Sequence, residues 1–372
     1  MTTFALVLWA VLGLSLVLHL ATVAAAAFVM RRGKADSAID GTPGITVLRP
    51  VCGIENHIED TLRSTFEFTY AGPVELLFCV QSADDPICPI VQGLIAEYPH
   101  AEAKLLVGND VISGNPKLNN LVKGWNAAKY DYVLMSDSNV LLPKDYLERL
   151  IGRWTAGTGL VTSPPAGIMP ENFWARFECA WLNTYQDRWQ LGSEAVGNGF
   201  AQGKMLFWRR DVVEANGGLA VLGKEMAEDI ASTKLVRGAG LKVRLLNEPL
   251  PQPIGERRFS DVWKRQLRWA KVRRLGVPLY FFAEVLTGAL IPTIAMLLLG
   301  GDMVGLIPAM LVLWYSAEWV LARIGGWPAM AMDIGAWILR DLSLPVLWLS
   351  AWFGRGFEWR GNAMHAADVT EK

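Results

Sequence analysis

Hydrophobic positions fall into three regimes along the chain. Residues 4–30 are apolar, with no formal charge apart from one on His19 when it is protonated. That run exceeds the roughly 20 helical residues needed to cross a hydrocarbon core. Three more apolar stretches close the sequence, over 277–299, 303–321 and 329–353. Between these ends the pattern shortens and alternates. Runs at 45–48, 74–80, 104–107, 132–135, 204–209 and 241–246 predict strands. Segments 57–68, 87–98, 143–154, 171–190 and 260–274 carry helical spacing, as do the segment after Pro116 and the one from Ile230 to the glycines at 238 and 240. Polar residues with Gly and Pro over 35–43 read as a linker, and Pro164-Pro165 as a chain break. Strands alternating with helices predict an α/β domain with a mostly parallel sheet and a nucleotide-type site at its edge.

Flanking charge orients the ends. Arg31, Arg32 and Lys34 follow the first apolar run, and Lys271, Arg273 and Arg274 precede the second. By the positive-inside rule both place the middle domain in the cytoplasm. No basic residue precedes residue 4, which argues against a cleavable signal peptide, although the alanines at 24–27 fit one. The last apolar stretch holds Asp333, Arg340 and Asp341, charges that at membrane depth face protein, water or each other. Arg340 and Asp341 point about 100° apart on a helix, towards different neighbours. Pro345 weakens this span, which is either continuous or a broken, re-entrant segment. Tryptophans 348, 352 and 359 suit an interfacial belt.

Composition agrees with a membrane protein: 52% hydrophobic and 19% charged in 372 residues. A net charge of −1 gives no reason to invoke nucleic acid. The four cysteines lack zinc or CxxC spacing and read as reduced thiols.

The candidate chemistry centres on 115–139, NPKLNNLVKGWNAAKYDYVLMSDSN. Its strand ends in Ser136-Asp137-Ser138-Asn139, an acid and an amide where α/β sheets bind ligands. Oxygen ligands there suit a hard divalent cation that keeps part of its shell for phosphate. The alternative is that Asp137 only caps a turn. Lys117 is a candidate phosphate contact. Asp84-Asp85, after the second strand, either accept hydrogen bonds from a nucleoside or start the next helix as N-terminal anions. Glu228-Asp229 carry the same helix-dipole alternative. The aromatic stretch 171–190 is either core packing or an interfacial helix beside a lipid. Glycines over 192–203 lack the P-loop pattern but allow close backbone approach to a ligand. In 260–274, capped by Ser260 or Asp261, Arg265 and Arg268 supply cations for a diphosphate. Trp269 covers a sugar or anchors the helix, and a basic juxtamembrane helix is the alternative.

In order, Asp84-Asp85, Asp137-Ser138-Asn139, Glu228-Asp229 and Arg265-Gln266-Leu267-Arg268-Trp269 resemble the signature of nucleotide-sugar glycosyltransferases with the A-type fold, of the family 2 kind. A closer resemblance is to family 21, the ceramide glucosyltransferases. It rests on LRPVCG, CVQSADDP, NPKLNNL, AKYDYVLMSDSN, AEDIASTK, RDLSL and EWR, and covers nearly the whole chain. The family's three aspartates fall on Asp85, Asp137 and Asp229, and its last motif on Arg265, Arg268 and Trp269. Asn139 departs from the pattern, standing where a second acid is usual.

The resemblance implies a Rossmann-like A-type domain flanked by transmembrane helices. The divisions are an N-terminal span with its basic flank (1–34), a cytoplasmic glycosyltransferase domain (35–259), an interfacial helix (260–276) and a C-terminal membrane bundle of about three spans (277–372). It implies inverting transfer of glucose from UDP-glucose to ceramide, with the bilayer and a lipid acceptor, ceramide or diacylglycerol, as partners. Asp85 and Lys117 help bind the UDP-sugar with Asp137. Mg²⁺ or Mn²⁺ sits on Asp137 and Asn139. Asp229 is the general base, and Arg265, Arg268 and Trp269 assist catalysis. The expected location is a multi-pass protein of a bacterial inner membrane or, in a eukaryote, of the Golgi or ER. Alternatives are a processive diacylglycerol transferase, a hopanoid transferase, a polysaccharide synthase (which needs more spans) and a non-catalytic membrane scaffold.

Overall fold

The computed structural model describes residues 2–33, 37–354, 356–359 and 362–365. Lys34 of the basic flank and Arg360 of the late segment lie outside these residues, as does the side chain of Trp359. In chain order the strands are β1 (Ile45–Pro50), β2 (Val74–Val80), β3 (Glu102–Val107), β4 (Tyr132–Ser136), β5 (Thr158–Thr162), β6 (Pro165–Pro170), β7 (Met205–Arg209), β8 (Lys242–Leu245) and β9 (Leu250–Gly255), followed by a hairpin of β10 (Gly356–Trp359) and β11 (Asn362–His365). Seven of them form one sheet in the order β3-β2-β1-β4-β7-β5-β8. β1 to β4 are mutually parallel where they pair, β7 runs antiparallel to β4 and β5, and β5 pairs parallel with β8.

The sequence predicts this core because its central strands are continuous apolar runs, buried on both faces as parallel strands require. Val47, Phe78, Leu134 and Phe207 pack there with Val91, Leu94, Leu147 and Leu150 from the covering helices. β5 was not predicted. Its sequence, Thr-Gly-Leu-Val-Thr, is short and has glycine inside, where strand propensity is low. Gly159 is needed because a Cβ there would lie 2.9 Å from Leu241 Cβ. Pro165, expected only to break the chain, opens β6, which pairs with β9 outside the main sheet.

Parallel strands β2, β1 and β4 end along one edge, so the loops after Val80, Pro50 and Ser136 share it. The antiparallel partner β7 starts at that edge, with Ser136 opposite Met205. This register brings Asp137 beside Lys204, whose carbonyl accepts the Asp137 amide at 2.9 Å.

By internal contacts the chain forms two compact units: Met1–Arg31, Ala166–Ala195 and Ile254–Arg355 in one, and Arg32–Pro165, Val196–Pro253 and Gly356–Lys372 in the other. The domain expected over 35–259 therefore gives up 166–195 to the unit that holds the apolar helices. The aromatic segment explains this. Phe177, Trp181 and Tyr185 are buried and meet edge to face, and Phe177 stacks near Phe259 of the helix Phe259–Gly276. These rings are core packing of their unit. The segment is not one helix: Phe173–Trp181, capped by the Asn172 side chain, passes through a π-helical stretch, Leu182–Asp187, into Arg188–Ala195.

In the same unit, Thr3–Arg31 and Ile307–Gly325 are long and apolar enough to cross a membrane, and Pro278–Thr287 with Leu290–Leu299 qualify as one span bent by 59°. The expected weak point was Pro345, yet Ala331–Ser350 is a single helix through it. The break falls at Gly288 instead. Backbone freed by a break in a membrane must find a partner, and Asp341 accepts the Ala289 amide at 3.0 Å. Asp341 and Arg340 also pair with each other, at 2.9 Å, besides serving separate neighbours. Arg340 reaches Glu318 at 2.8 Å and Thr184 at 2.6 Å, and Asp333 pairs with Arg176 at 2.7 Å. The Trp348 indole N–H donates to the Phe281 carbonyl at 2.9 Å, and Trp348 stays half-buried.

Candidate functional site

The motif NPKLNN folds as it does because each polar residue serves a separate backbone need. Asn115 caps the helix Pro116–Ala127, accepting from the amides of Lys117 and Leu118. Pro116 takes the first helical turn, where no amide partner is required. Asn119 accepts from the amides of Ile112 and Ser113, closing the preceding loop, and Asn120 donates to the Cys79 carbonyl at the end of β2. Lys117 is left to reach outward from the first turn.

Its ammonium sits in a cradle of oxygens. Asp137 Oδ1 lies at 2.7 Å and Glu228 Oε1 at 2.8 Å, with the Gly203 carbonyl as a third, close acceptor. Burial opposes the charge on Lys117, but the Asp137 and Glu228 carboxylates outweigh it and its pKa is raised. The other oxygen of Asp137 faces Lys204 Nζ at 3.2 Å. Burial works against the Asp137 charge; the two lysines prevail and hold it well below the usual carboxylate range. Arg49, fully buried, donates to the Ser138 and Val140 carbonyls, and so fixes the turn carrying Asp137.

Glu228 and Asp229 open the helix Glu228–Gly238, as the sequence predicts. Glu228 is buried and also accepts from Asn115 Nδ2 at 3.0 Å. Asp229, half-buried, accepts from the Gly203 amide at 3.2 Å and from the Ile230 amide at 2.7 Å. Burial, then the neighbouring Glu228 charge, push its pKa up to about 6; the two amide bonds and Lys117 act the other way. Gly203 is the pivot of this arrangement, since a Cβ there would meet Glu228 Oε1 at 2.7 Å.

Asn139 does not touch Lys117 but shares the Lys204 ammonium with Asp137. Its oxygen accepts from Lys204 at 3.0 Å and its Nδ2 donates to Glu55 at 3.0 Å. Among the described residues no three of His, Cys, Asp and Glu gather as a metal site. Two carboxylates and a carbonyl around Lys117 nonetheless form a hard-oxygen donor set of the kind Mg²⁺ or Mn²⁺ takes, and a tethered cation stands in it. The residue that sequence reasoning missed is Glu228, which it read as helix-dipole complement. The capping-distance acid was visible; its convergence with Asp137 was not.

Asp85 is placed at the same edge, after β2. Its carboxylate accepts from the Gly53 amide at 2.9 Å and the Ile87 amide at 3.0 Å. It ties together the loops after β1 and β2 and leads into the helix Cys88–Glu97, the structural one of the two roles weighed for it. Asp84 is exposed.

The last motif belongs to the other unit. Glu178, fully buried, accepts from Arg257 Nε at 2.9 Å and from Arg265, and Trp269 packs on Ala175, Cys179, Leu182 and Ile254. Arg268 is half-buried on the same helix. Neither Ser260 nor Asp261 caps this helix, which begins one residue earlier, after Arg258. In that unit Val312, Trp319, Ile338 and Leu342 line an apolar cavity of about 690 Å³, with Tyr315 and Asp341 at its wall.

Residues 7–371 match the model of Glycosyl transferase family 21. Ceramide glucosyltransferase 3 of Caenorhabditis elegans is 27% identical over 347 residues, 90% of this chain and 74% of that protein. Ceramide glucosyltransferase of Komagataella phaffii is 40% identical over 112 residues, 29% of this chain and 22% of that one. Among solved structures, a mannosyltransferase of Pyrobaculum calidifontis, in complex with GDP-Man and Mn²⁺, superposes with a TM-score of 0.55. It covers 90% of this chain and 99% of its own at 14% identity. That likeness establishes the A-type glycosyltransferase fold.

Proposed function

This chain belongs to glycosyl transferase family 21 and is a membrane-associated hexosyltransferase, and from that premise we propose that it moves glucose from UDP-glucose to the hydroxyl of ceramide, inverting the anomeric carbon. The observation that carries the reading is the convergence of Asp137, Glu228, Asp229, Lys117 and Gly203 at the strand edge where A-type folds take nucleotide-sugars.

In this scheme Asp229 takes the proton of the acceptor hydroxyl as that oxygen attacks the anomeric carbon. Its raised pKa suits a base, since a carboxylate near neutral in basicity accepts a proton more readily than an ordinary one. Asp85 fixes the loops after β1 and β2 against which the uridine lies. Lys117 and Lys204 offer ammonium groups to the diphosphate. Arg265, Arg268 and Trp269 enter through the family motif alone; within their own unit Arg265 pairs with Glu178 and Trp269 packs their helix. When bound, Mg²⁺ or Mn²⁺ would be held by Asp137 and Glu228 and would supply charge against the departing diphosphate.

The lipid acceptor is supported by the spans. A long-chain lipid leaves a bilayer at a cost of about 0.8 kcal/mol per exposed CH₂, so a transferase acting on it works at the membrane. The apolar cavity among the membrane helices suits an alkyl chain. We place the catalytic domain on the cytoplasmic side, where the basic flanks put it.

The test is incubation of the purified chain in nanodiscs with radiolabelled UDP-glucose and either ceramide or diacylglycerol, followed by separation of the lipids. A single labelled product from ceramide alone is expected. A ladder on diacylglycerol would move the acceptor to glycerolipids, and no transfer to any lipid would overturn the reading.

Gly203→Ala gives a second check. The clash is with the tip of a flexible side chain, so the fold tolerates it; what moves is the Glu228 carboxylate. Losing a hydrogen bond to a charged group costs about 1.5–3 kcal/mol, or roughly 10–100-fold. We expect a loss of that size in the affinity for UDP in the presence of Mn²⁺, measured by titration calorimetry on a chain that remains folded.

A further inference from the structure

We propose that Lys117 is the resident occupant of the cation cradle, and that a divalent ion enters only by displacing it when a nucleotide diphosphate arrives to receive the released ammonium. The proposal rests on the nucleotide-sugar reading for the identity of the diphosphate, and on the structure for the rest. Lys117 Nζ is held by Asp137 Oδ1, Glu228 Oε1 and the Gly203 carbonyl, leaving no room at that point for a second cation. The cradle is built for this occupant: Asn115 steers Glu228 from the far oxygen and caps the helix that carries Lys117. Asp137 is steered in turn by Lys204.

Charge decides the order of events. Asp137 and Glu228 hold Lys117, Asp137 also faces Lys204, and the neighbouring Asp229 carboxylate makes three acids to two ammoniums. A divalent ion alone would have to expel an ammonium and leave it unpaired beside the new charge, which is unfavourable in a half-buried site. A diphosphate removes that difficulty, because its oxygens pair with the expelled ammonium and with the ion. Metal and nucleotide therefore assist each other's binding. Such coupling is reciprocal, so it is measurable from either side. The ion that neutralises the leaving group is thus recruited with the donor, and the free site stays closed to stray divalent ions.

The experiment is Mn²⁺ titration of the full chain in nanodiscs, followed by the paramagnetic resonance signal of free Mn²⁺, with and without UDP. The wild type is expected to bind Mn²⁺ at least tenfold more tightly with UDP present. Lys117→Met empties the cradle while keeping the length of the side chain; Mn²⁺ alone should then bind at least tenfold more tightly than to the wild type. Adding Glu228→Gln to that variant should abolish the gain. Lys117→Arg retains a cation and should behave as the wild type does. Equal Mn²⁺ affinity with and without UDP in the wild type would overturn the proposal, as would a folded Lys117→Met chain with no gain. If Lys117→Met does not fold, Lys117→Gln takes its place and should show the same gain in Mn²⁺ affinity without UDP. Failure of UDP to bind at all, read by calorimetry, would instead count against the proposed donor, and the Mn²⁺ affinity of Lys117→Met without UDP would still decide the cradle.

Discussion

Asp229→Asn should lower kcat by about 10²–10⁴-fold, the usual contribution of a positioned general base, while UDP affinity stays close to that of the wild type and the chain remains folded. The Gly203 and Ile230 amides reach different oxygens of Asp229, so the amide oxygen keeps the shorter bond, from Ile230, and the 3.2 Å bond from Gly203 is lost. The asparagine cannot take a proton from the acceptor. The pH dependence supplies an independent check. A base with a pKa of about 6 must be deprotonated to work. In the wild type kcat/KM should therefore fall tenfold per unit as pH drops below about 6, and level off above about 7. The residual activity of Asp229→Asn should lack that limb. Near-normal turnover by a folded Asp229→Asn chain would assign the base elsewhere. A limb at the ordinary aspartate value would mean that burial and Glu228 do not act on Asp229 as the structure indicates.

Arg340→Met should destabilise the membrane unit by about 3–5 kcal/mol, the range for removing one partner of a buried ion pair. Arg340, Glu318 and Asp341 are all essentially inaccessible. Arg340 holds Glu318 and Asp341 at 2.8 Å each, and without it Asp341 loses its guanidinium and Glu318 is left to the longer contact with Arg188 at 3.7 Å. Asp341 in addition accepts from the Ala289 amide at the break beside Gly288 and from the Tyr315 hydroxyl at 3.2 Å. The loss therefore spreads to the bent span. Thermal unfolding in nanodiscs measures it, and a double-mutant cycle isolates it. Arg340→Met with Glu318→Gln should recover part of the stability, because removing both partners costs less than stranding one. Equal stability of wild type and Arg340→Met would show that the pair contributes nothing net.

Much of the fold was legible because its signals are local. The strands Val74–Val80 and Tyr132–Ser136 are unbroken apolar runs, and Asn115-Pro116 announces a helix start by capping chemistry that needs no distant partner. What escaped was what depends on neighbours. β5 is a strand because β7 and β8 flank it, not because Thr-Gly-Leu-Val-Thr favours one. Pro345 looked like the weak point of the bundle and Gly288 did not, since only the folded bundle brings Asp341 to the freed Ala289 amide.

The candidate site divides in the same way. By itself the sequence determined the order of the acids, the family they signal, the apolar ends and the strand end that carries Asp137, since these follow from residue types and spacing. Tertiary structure decided which acids act together. It brought Glu228 to Lys117 across 111 positions, set the oxygens of Asn139 and Asp137 on one ammonium, that of Lys204, and committed Arg265 to the buried Glu178. The physical reason is range: hydrophobic period and capping act over a few residues along the chain, whereas charge pairing acts through space and is set only once the sheet register is fixed.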